Sequence, residues 1–161
     1  LGALVVAWAV LHSAPLAAGP ATVAALLVGI VFLRQAGLGA RQTATLTLRR
    51  LALGTLHPSR PAQVWATLGY ELRLALLIGA VAAVAVAVLF AGSIGAQLSA
   101  LMGATVFAGI MLSSILGVLL PVLARRGQVD LRYIPVEGVS LLSDMCGILL
   151  VLSVVRIVLA S

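Results

Sequence analysis

Hydrophobic positions gather in long blocks along this chain, and the charged positions fall between them. Four blocks stand out, and the first divides in two at the sequence HSAP and at Gly19-Pro20. A transmembrane helix needs about 20 mostly apolar residues. The pattern predicts an all-α membrane protein with five transmembrane helices. The predicted spans cover residues 1–17, 21–40, 70–92, 97–123 and 137–160.

The first predicted span is short, and a cleaved signal peptide is the alternative interpretation. No basic segment precedes it and no cleavage site follows it, so the signal-peptide pattern is incomplete. The chain starts at Leu1, so we expect its true start to lie further upstream, which leaves room for a soluble part. We therefore count residues 1–17 as a span that has lost its beginning.

Composition also indicates that lipid is the solvent. The chain is 63% hydrophobic and 9% charged, with a mean hydropathy of +1.24, whereas soluble domains are about half apolar and a quarter charged. The basic residues are ten arginines against four acids, but they flank hydrophobic blocks, which favours membrane orientation over nucleic-acid binding. A single cysteine, Cys146, excludes an intrachain disulfide and a cysteine-rich metal site. No pattern of catalytic nucleophiles or phosphate-binding loops is present, so the chain is not predicted to be an enzyme.

The distribution of arginines gives an orientation. The connections around residues 14–20 and 92–97 carry no charge, whereas those at 34–73 and 125–132 hold most of the arginines. Short basic loops stay on the cytoplasmic side. The N-terminus is therefore expected in the cytoplasm and, with five spans, the C-terminus outside.

Residues 34–54 admit two interpretations. Joined to the second block they would form a helix of about 33 residues, about 50 Å long, which exceeds a hydrocarbon core of about 30 Å. A break at Gly37 and Gly39 is then expected; a plain cytoplasmic loop is the alternative. In the fourth span, Pro121 is expected to end or bend the helix.

Small residues recur at every fourth position in the third and fourth spans. Such stripes let helices approach closely in lipid, so these spans are interpreted as scaffold. The stripes are Gly79, Ala83, Ala87 and Ala91; Ala100, Ala104 and Ala108; and Gly109, Ser113 and Gly117.

Asp144 is the residue with the strongest functional signal, because it lies in the middle of the last hydrophobic block. A carboxylate there costs about 2.5–3.5 kcal/mol on insertion scales, so it is usually paired, hydrated or functional. Glu137, Ser140 and Gly147 share its helical face, which makes that face polar. The alternatives are a structural carboxylate bonded to a serine or an arginine for Asp144, and a solvated loop acid for Glu137.

Three segments resemble the MgtE-type magnesium transporters. Residues 142–159, LSDMCGILLVLSVVRIVL, look like that family's last span, and residues 119–130, LLPVLARRGQVD, look like the end of its fourth span with the basic loop that follows. Residues 42–53, QTATLTLRRLAL, resemble the stretch after its second span. The separation of Asp130 from Asp144 also fits the family without a gap.

This resemblance implies a homodimer with a pore on the two-fold axis, lined by the second and fifth spans. It implies that Asp144 binds a hydrated Mg²⁺ with help from the backbone carbonyl of Ser140, and that Asp130 belongs to the gating region. Mn²⁺ and Co²⁺ are alternative transported ions. The bacterial inner membrane is the expected location, and the soluble regulatory domains usual in the family are not in this chain.

The chain departs from the family at its second-span motif. Gly37 and Gln42 hold their places, but Leu38 and Arg41 replace two asparagines. An arginine that faces a cation pathway repels the ion. Three arrangements therefore remain open: Arg41 points to the headgroups, it pairs with a carboxylate such as Glu137, or conduction is altered.

Three functions follow from these features. The first is a channel-like pathway for Mg²⁺ or a related divalent cation, the second is a proton-coupled exporter that uses Asp144 or Glu137, and the third is a non-conducting structural or sensory homologue blocked by Arg41. A divalent cation suits Asp144, since Mg²⁺ keeps several waters and is held by one or two carboxylates. A dimer would supply two.

Overall fold

The computed structural model describes residues 20–128 and 136–160, and every regular element within them is an α-helix. The four helices are α1 (Pro20–Ala52), α2 (Pro61–Ile94), α3 (Ala96–Arg126) and α4 (Val136–Ala160). The predicted span at residues 1–17 lies outside the described residues. Among the described residues, two stretches are long and apolar enough to cross a membrane, Pro61–Gly92 and Ala96–Arg126.

Helix α1 runs without interruption through the glycines at which a break was expected. Both sequence interpretations, a break at Gly37 and Gly39 and a plain loop after Arg34, are therefore wrong. The physical reason is a stripe of buried side chains that recurs at helical spacing on both sides of the glycines, so that neighbouring helices hold the whole segment helical. The stripe consists of Ala36, Ala40, Ala44, Thr47 and Leu51.

The connection between α1 and α2 is a short turn. Gly54 has a positive φ of 69°, which glycine adopts without the steric cost of a Cβ atom. Pro61 then occupies the first turn of α2, where a missing backbone N–H costs nothing. Helix α2 starts nine residues before the third predicted span and contains 34 residues.

Helix α3 is central, since it packs against α1, α2 and α4. Glycines make two of these approaches close. A Cβ atom on Gly103 would lie 2.6 Å from the Ala83 carbonyl oxygen of α2, and one on Gly117 would lie 2.9 Å from the Ala40 carbonyl oxygen of α1. Small-residue packing is therefore present at both interfaces.

Two expectations about α3 need correction. Ala100 and Ala104 are exposed on this chain and Ala108 is half-buried, so the described helices do not enclose this stripe. Pro121 does not end α3, which continues to Arg126. Pro121 is buried beside Val118 and Val122, and the packing of this turn against α1 and α2 holds the helix together beyond the proline.

The exposed apolar surface expected of a helix in contact with lipid is clearest on α2. Large apolar side chains are exposed along its length on the side away from α3, as expected for a helix that faces lipid rather than water. They include Leu74, Leu76, Leu77, Ile78, Val81, Val84, Val88 and Leu89.

Candidate cation site

Helices α1 and α4 run antiparallel and meet through small residues. Ala40 and Ala44 are fully buried against Val139, and Val136 and Leu120 pack on the same cluster. Because the two alanines present only methyl groups, the helix backbones come close enough for polar groups further along α4 to reach α1. The candidate site therefore lies at this interface between α1 and α4.

The side chain of Asp144 lies directly on the backbone of Gly37. A Cβ atom built on Gly37 would overlap Asp144 Oδ1 and would lie 3.0 Å from Asp144 Cγ. Only glycine therefore leaves room for the carboxylate in this position. Gly39, two residues further along α1, has no atom within 4 Å of the equivalent position.

One oxygen of this carboxylate is buried and unsatisfied. Asp144 Oδ1 has no hydrogen-bond partner within residues 20–128 and 136–160. A buried acceptor without a partner is costly, and a charged one more so. Within the described residues, neither a serine nor an arginine donates a hydrogen bond to Oδ1, as the structural alternative for Asp144 would require.

Arg41 and Glu137 form an ion pair between α1 and α4. Arg41 Nη2 donates to Glu137 Oε1 at 2.9 Å, and the two side chains are 51% and 71% exposed. Of the three arrangements open to Arg41, the structure shows pairing with a carboxylate. Glu137 is seven residues before Asp144, about 10 Å along the helix axis, so the pair lies two turns from the carboxylate.

A hydrogen bond between serines holds the other side of α4. Ser143 Oγ lies 2.6 Å from Ser113 Oγ of α3, and both residues are buried. Ser143 directly precedes Asp144, so this bond helps to fix the rotation of α4 about its axis. Sequence reasoning assigned Ser113 only to a packing stripe and overlooked Ser143. The available signal was a second hydroxyl next to the intramembrane acid.

The remaining candidate residues are distributed around this interface. Ser140 is half-buried one turn before Asp144, and Gly147 is buried one turn after it. Gln42 is exposed and shares a surface cleft of about 590 Å³ with Arg41. The structure thus brings Gly37 to Asp144 and Arg41 to Glu137, but it records no contact between Gln42 and either acid. Asp130 lies outside the described residues.

Glu71 is an acid to which sequence reasoning gave no role. It sits on α2, is partly buried, and accepts a weak 3.4 Å hydrogen bond from Thr43 Oγ1 of α1. The three described acids therefore all contact α1 between Gly37 and Thr43. Asp144 lies at Gly37, Glu137 at Arg41 and Glu71 at Thr43. They do not converge, since the described residues contain no group of three or more His, Cys, Asp or Glu side chains that could hold a metal ion.

The comparison with protein families identifies the chain. The family described as "MgtE: Divalent cation transporter" matches residues 30–154, which is most of the 161 residues and includes Gly37, Arg41, Glu137 and Asp144. A search of curated proteins finds no match. The chain belongs to the MgtE family of divalent cation transporters, a family of membrane-embedded helical proteins.

Proposed function

We propose that this chain forms a homodimeric pathway for Mg²⁺, lined by α1 and α4, in which Asp144 binds the passing ion. Of the described residues, Asp144 carries this proposal best. Its carboxylate lies between two helices, with one oxygen buried and without a partner. A bound cation, or the water shell of one, supplies the missing partner.

The donor set suits Mg²⁺ held through its waters. Mg²⁺ gives up water reluctantly and uses one or two carboxylates rather than a full set of protein ligands. A single Asp144 without neighbouring acids matches this requirement, because water molecules supply the remaining ligands. The backbone carbonyl of Ser140, one turn earlier, is the second proposed contact on the same chain.

Charge balance supports a dimer. One chain provides one carboxylate at this position, whereas two related by a two-fold axis provide the two negative charges that a divalent ion needs. Helix α4 also exposes a row of large apolar side chains beyond its contacts with α1 and α3, and a second copy or lipid covers them. The row consists of Leu141, Leu142, Met145 and Leu149.

Arg41 is compatible with conduction in this proposal. An isolated guanidinium would repel a divalent ion, but Glu137 lies 2.9 Å from it and balances its charge. Gly37, Gly147 and Gln42 complete the proposed wall of the pathway, and Asp130 belongs to its gating region. The proposed orientation in the bacterial inner membrane has the N-terminus in the cytoplasm and the C-terminus outside.

The test is uptake of Mg²⁺ into liposomes that contain only this purified chain, with Mn²⁺ and Co²⁺ as competing ions. Uptake driven by the ion gradient alone, unchanged by a protonophore, is the expected result. Uptake that collapses when the proton gradient is removed would favour the proton-coupled exporter. No uptake by folded protein at any gradient would overturn the proposed pathway and favour the non-conducting homologue.

A further inference from the structure

Five exposed arginines are gathered at one end of the helix bundle. Two form the last turn of α1 and two the last turn of α3, while the fifth precedes α2. We call Arg49, Arg50, Arg60, Arg125 and Arg126 the basic patch; all five are exposed.

The chain segments that carry the basic patch are held together by an apolar cluster. Leu51, Leu56, Val64 and Val122 are buried against one another, and they come from the end of α1, the turn, the start of α2 and the end of α3. Arg126 Nε also donates to the Pro58 carbonyl oxygen at 3.0 Å. The five arginines therefore belong to one folded unit rather than to separate loops.

Within the described part of the chain, no ion pair involves a residue of the basic patch. Residues 49–70 and 119–128, which contain the whole patch, include no Asp or Glu. The patch is thus a concentrated positive surface, and paired guanidinium donors suit phosphate oxygens.

The lengths of α2 and α3 indicate that the patch lies at the depth of lipid headgroups. Helices α2 and α3 contain 34 and 31 residues, so they are about 51 and 46 Å long, against about 40–45 Å for a bilayer with its headgroups. Helix α2 ends and α3 begins at Gly95, at the opposite end of the bundle. With that turn at one membrane surface, the arginine ends of both helices reach the headgroup layer at the other. Trp65 and Tyr70 are 67% and 63% exposed near the patch, as aromatic residues at a membrane interface are.

We infer that the basic patch is a binding surface for anionic phospholipids, whose phosphodiester groups the arginines hold. An acidic polypeptide would suit the charge, but the exposed aromatics and the depth favour a lipid. Each basic residue at an anionic surface contributes about fivefold to binding. The alternative role, stabilisation of the helix C-termini by positive charge, is independent of the lipid and predicts no lipid preference.

Trp65 provides the reporter for a test. The chain has two tryptophans, so Trp8→Phe leaves Trp65 alone beside the patch. We would compare quenching of its fluorescence by brominated phosphatidylglycerol and by brominated phosphatidylcholine. The expected preference for phosphatidylglycerol is about tenfold, and Arg49→Gln with Arg50→Gln should abolish it, since two residues at about fivefold each exceed that preference. Arg156→Gln, which removes a positive charge near the C-terminal end of α4 and so away from the patch, is the control and should leave the preference unchanged.

A second measurement covers the case in which a variant folds poorly. The unmodified chain should unfold at a higher temperature in bilayers of mixed phosphatidylglycerol and phosphatidylcholine than in phosphatidylcholine alone, since a ligand of the folded state stabilises it. Equal quenching by both lipids, or a preference that survives loss of Arg49 and Arg50, would overturn the lipid surface. In that case, binding of an acidic polypeptide or a purely structural role would explain the patch.

Discussion

Gly37 of α1 and Asp144 of α4 occupy one space: the carboxylate fills the position at which any other residue would place its Cβ atom. Because the overlapping atoms belong to the end of a flexible side chain, the aspartate can rotate away when that position is filled. The contact therefore determines where the carboxylate points more than whether the bundle folds.

Gly37→Ala tests this relationship. We expect transport to fall at least tenfold, since the added methyl group displaces the carboxylate, while the free energy of unfolding changes by no more than about 1 kcal/mol because the gain in helix propensity offsets the strain. Ion uptake and thermal unfolding should be measured on the same sample. Gly39→Ala is the matched control: it makes the same change on the same helix where no atom lies within 4 Å. Equal effects of the two variants would contradict the proposed role of Gly37.

The ion pair of Arg41 and Glu137 gives a second prediction. A unit charge about 10 Å from a divalent ion contributes about 1 kcal/mol at an effective dielectric constant of about 60, or about fivefold in ion occupancy. Arg41→Asn, which leaves Glu137 unbalanced, should raise ion uptake about fivefold, and Glu137→Gln should lower it by a similar factor.

The double variant is the control for this pair. With both charges removed, the opposite electrostatic effects should cancel, and uptake should return to within about twofold of the unmodified chain. A double variant that behaves like either single variant would show that the charges are not the cause. Stability should change little in all three variants, because an exposed ion pair contributes at most about 1 kcal/mol. A complete loss of uptake in folded Arg41→Asn would show that the guanidinium has a positive role in the pathway.

The hydrogen bond between Ser113 and Ser143 gives a third prediction. Interhelical hydrogen bonds in membrane proteins contribute about 0.6 kcal/mol on average, so Ser113→Ala should lower the free energy of unfolding by about that amount. Ion uptake should fall by less than about threefold, since Gly37 and the ion pair still position α4. The measurement is reversible unfolding in bicelles, with Ser143→Ala and the double variant completing a cycle. Additive losses would show that the two hydroxyls are not coupled.

The proposed dimer gives a fourth prediction. Ser140 shares the face of Asp144, so Ser140→Cys in a Cys146→Ser background should form a disulfide-linked dimer when the membranes are oxidised. A cysteine at Gly147 is a poorer choice, because that residue is buried.

Val88→Cys is the matched control for cross-linking. Val88 is 70% exposed on α2, and in the proposed assembly it faces lipid and should stay monomeric. Efficient dimer formation through position 88 but not through 140 would place the subunit interface on α2 and contradict a pathway lined by α4.

Much of this architecture could be predicted from the sequence, because hydrophobic blocks report directly on helices in lipid. The last helix is an example: Val136–Ala160 covers the stretch expected at residues 137–160. The importance of Asp144 could also be predicted, since an acid in an apolar block is usually paired, hydrated or functional. The family itself was recognisable from the segments around residues 42–53, 119–130 and 142–159.

The features that could not be predicted from the sequence are those that depend on which helices are in contact. A glycine such as Gly37 is typical of a helix break, but α1 stays helical there. The space left by its missing side chain is filled by the Asp144 carboxylate of α4. Arg41 and Glu137 are 96 positions apart in the sequence. Their pairing was therefore one of three arrangements that the sequence left open. Ser143 and Glu71 went unnoticed, because their partners Ser113 and Thr43 are apparent only when the helices are assembled.

The central claim is that the Asp144 carboxylate binds the transported ion, and Asp144→Asn tests it most directly. The variant keeps the volume of the side chain and removes two charges from a dimeric site, so Mg²⁺ binding should weaken at least tenfold, about 1.4 kcal/mol. Folding should be unharmed or improved, because a charge buried in a span is gone. We would measure Mg²⁺-dependent thermal stabilisation and liposome uptake on one preparation, with Glu71→Gln as the control for loss of a carboxylate elsewhere. The account predicts loss of both signals in Asp144→Asn alone; uptake at the unmodified rate, with the same stabilisation by Mg²⁺, would contradict it.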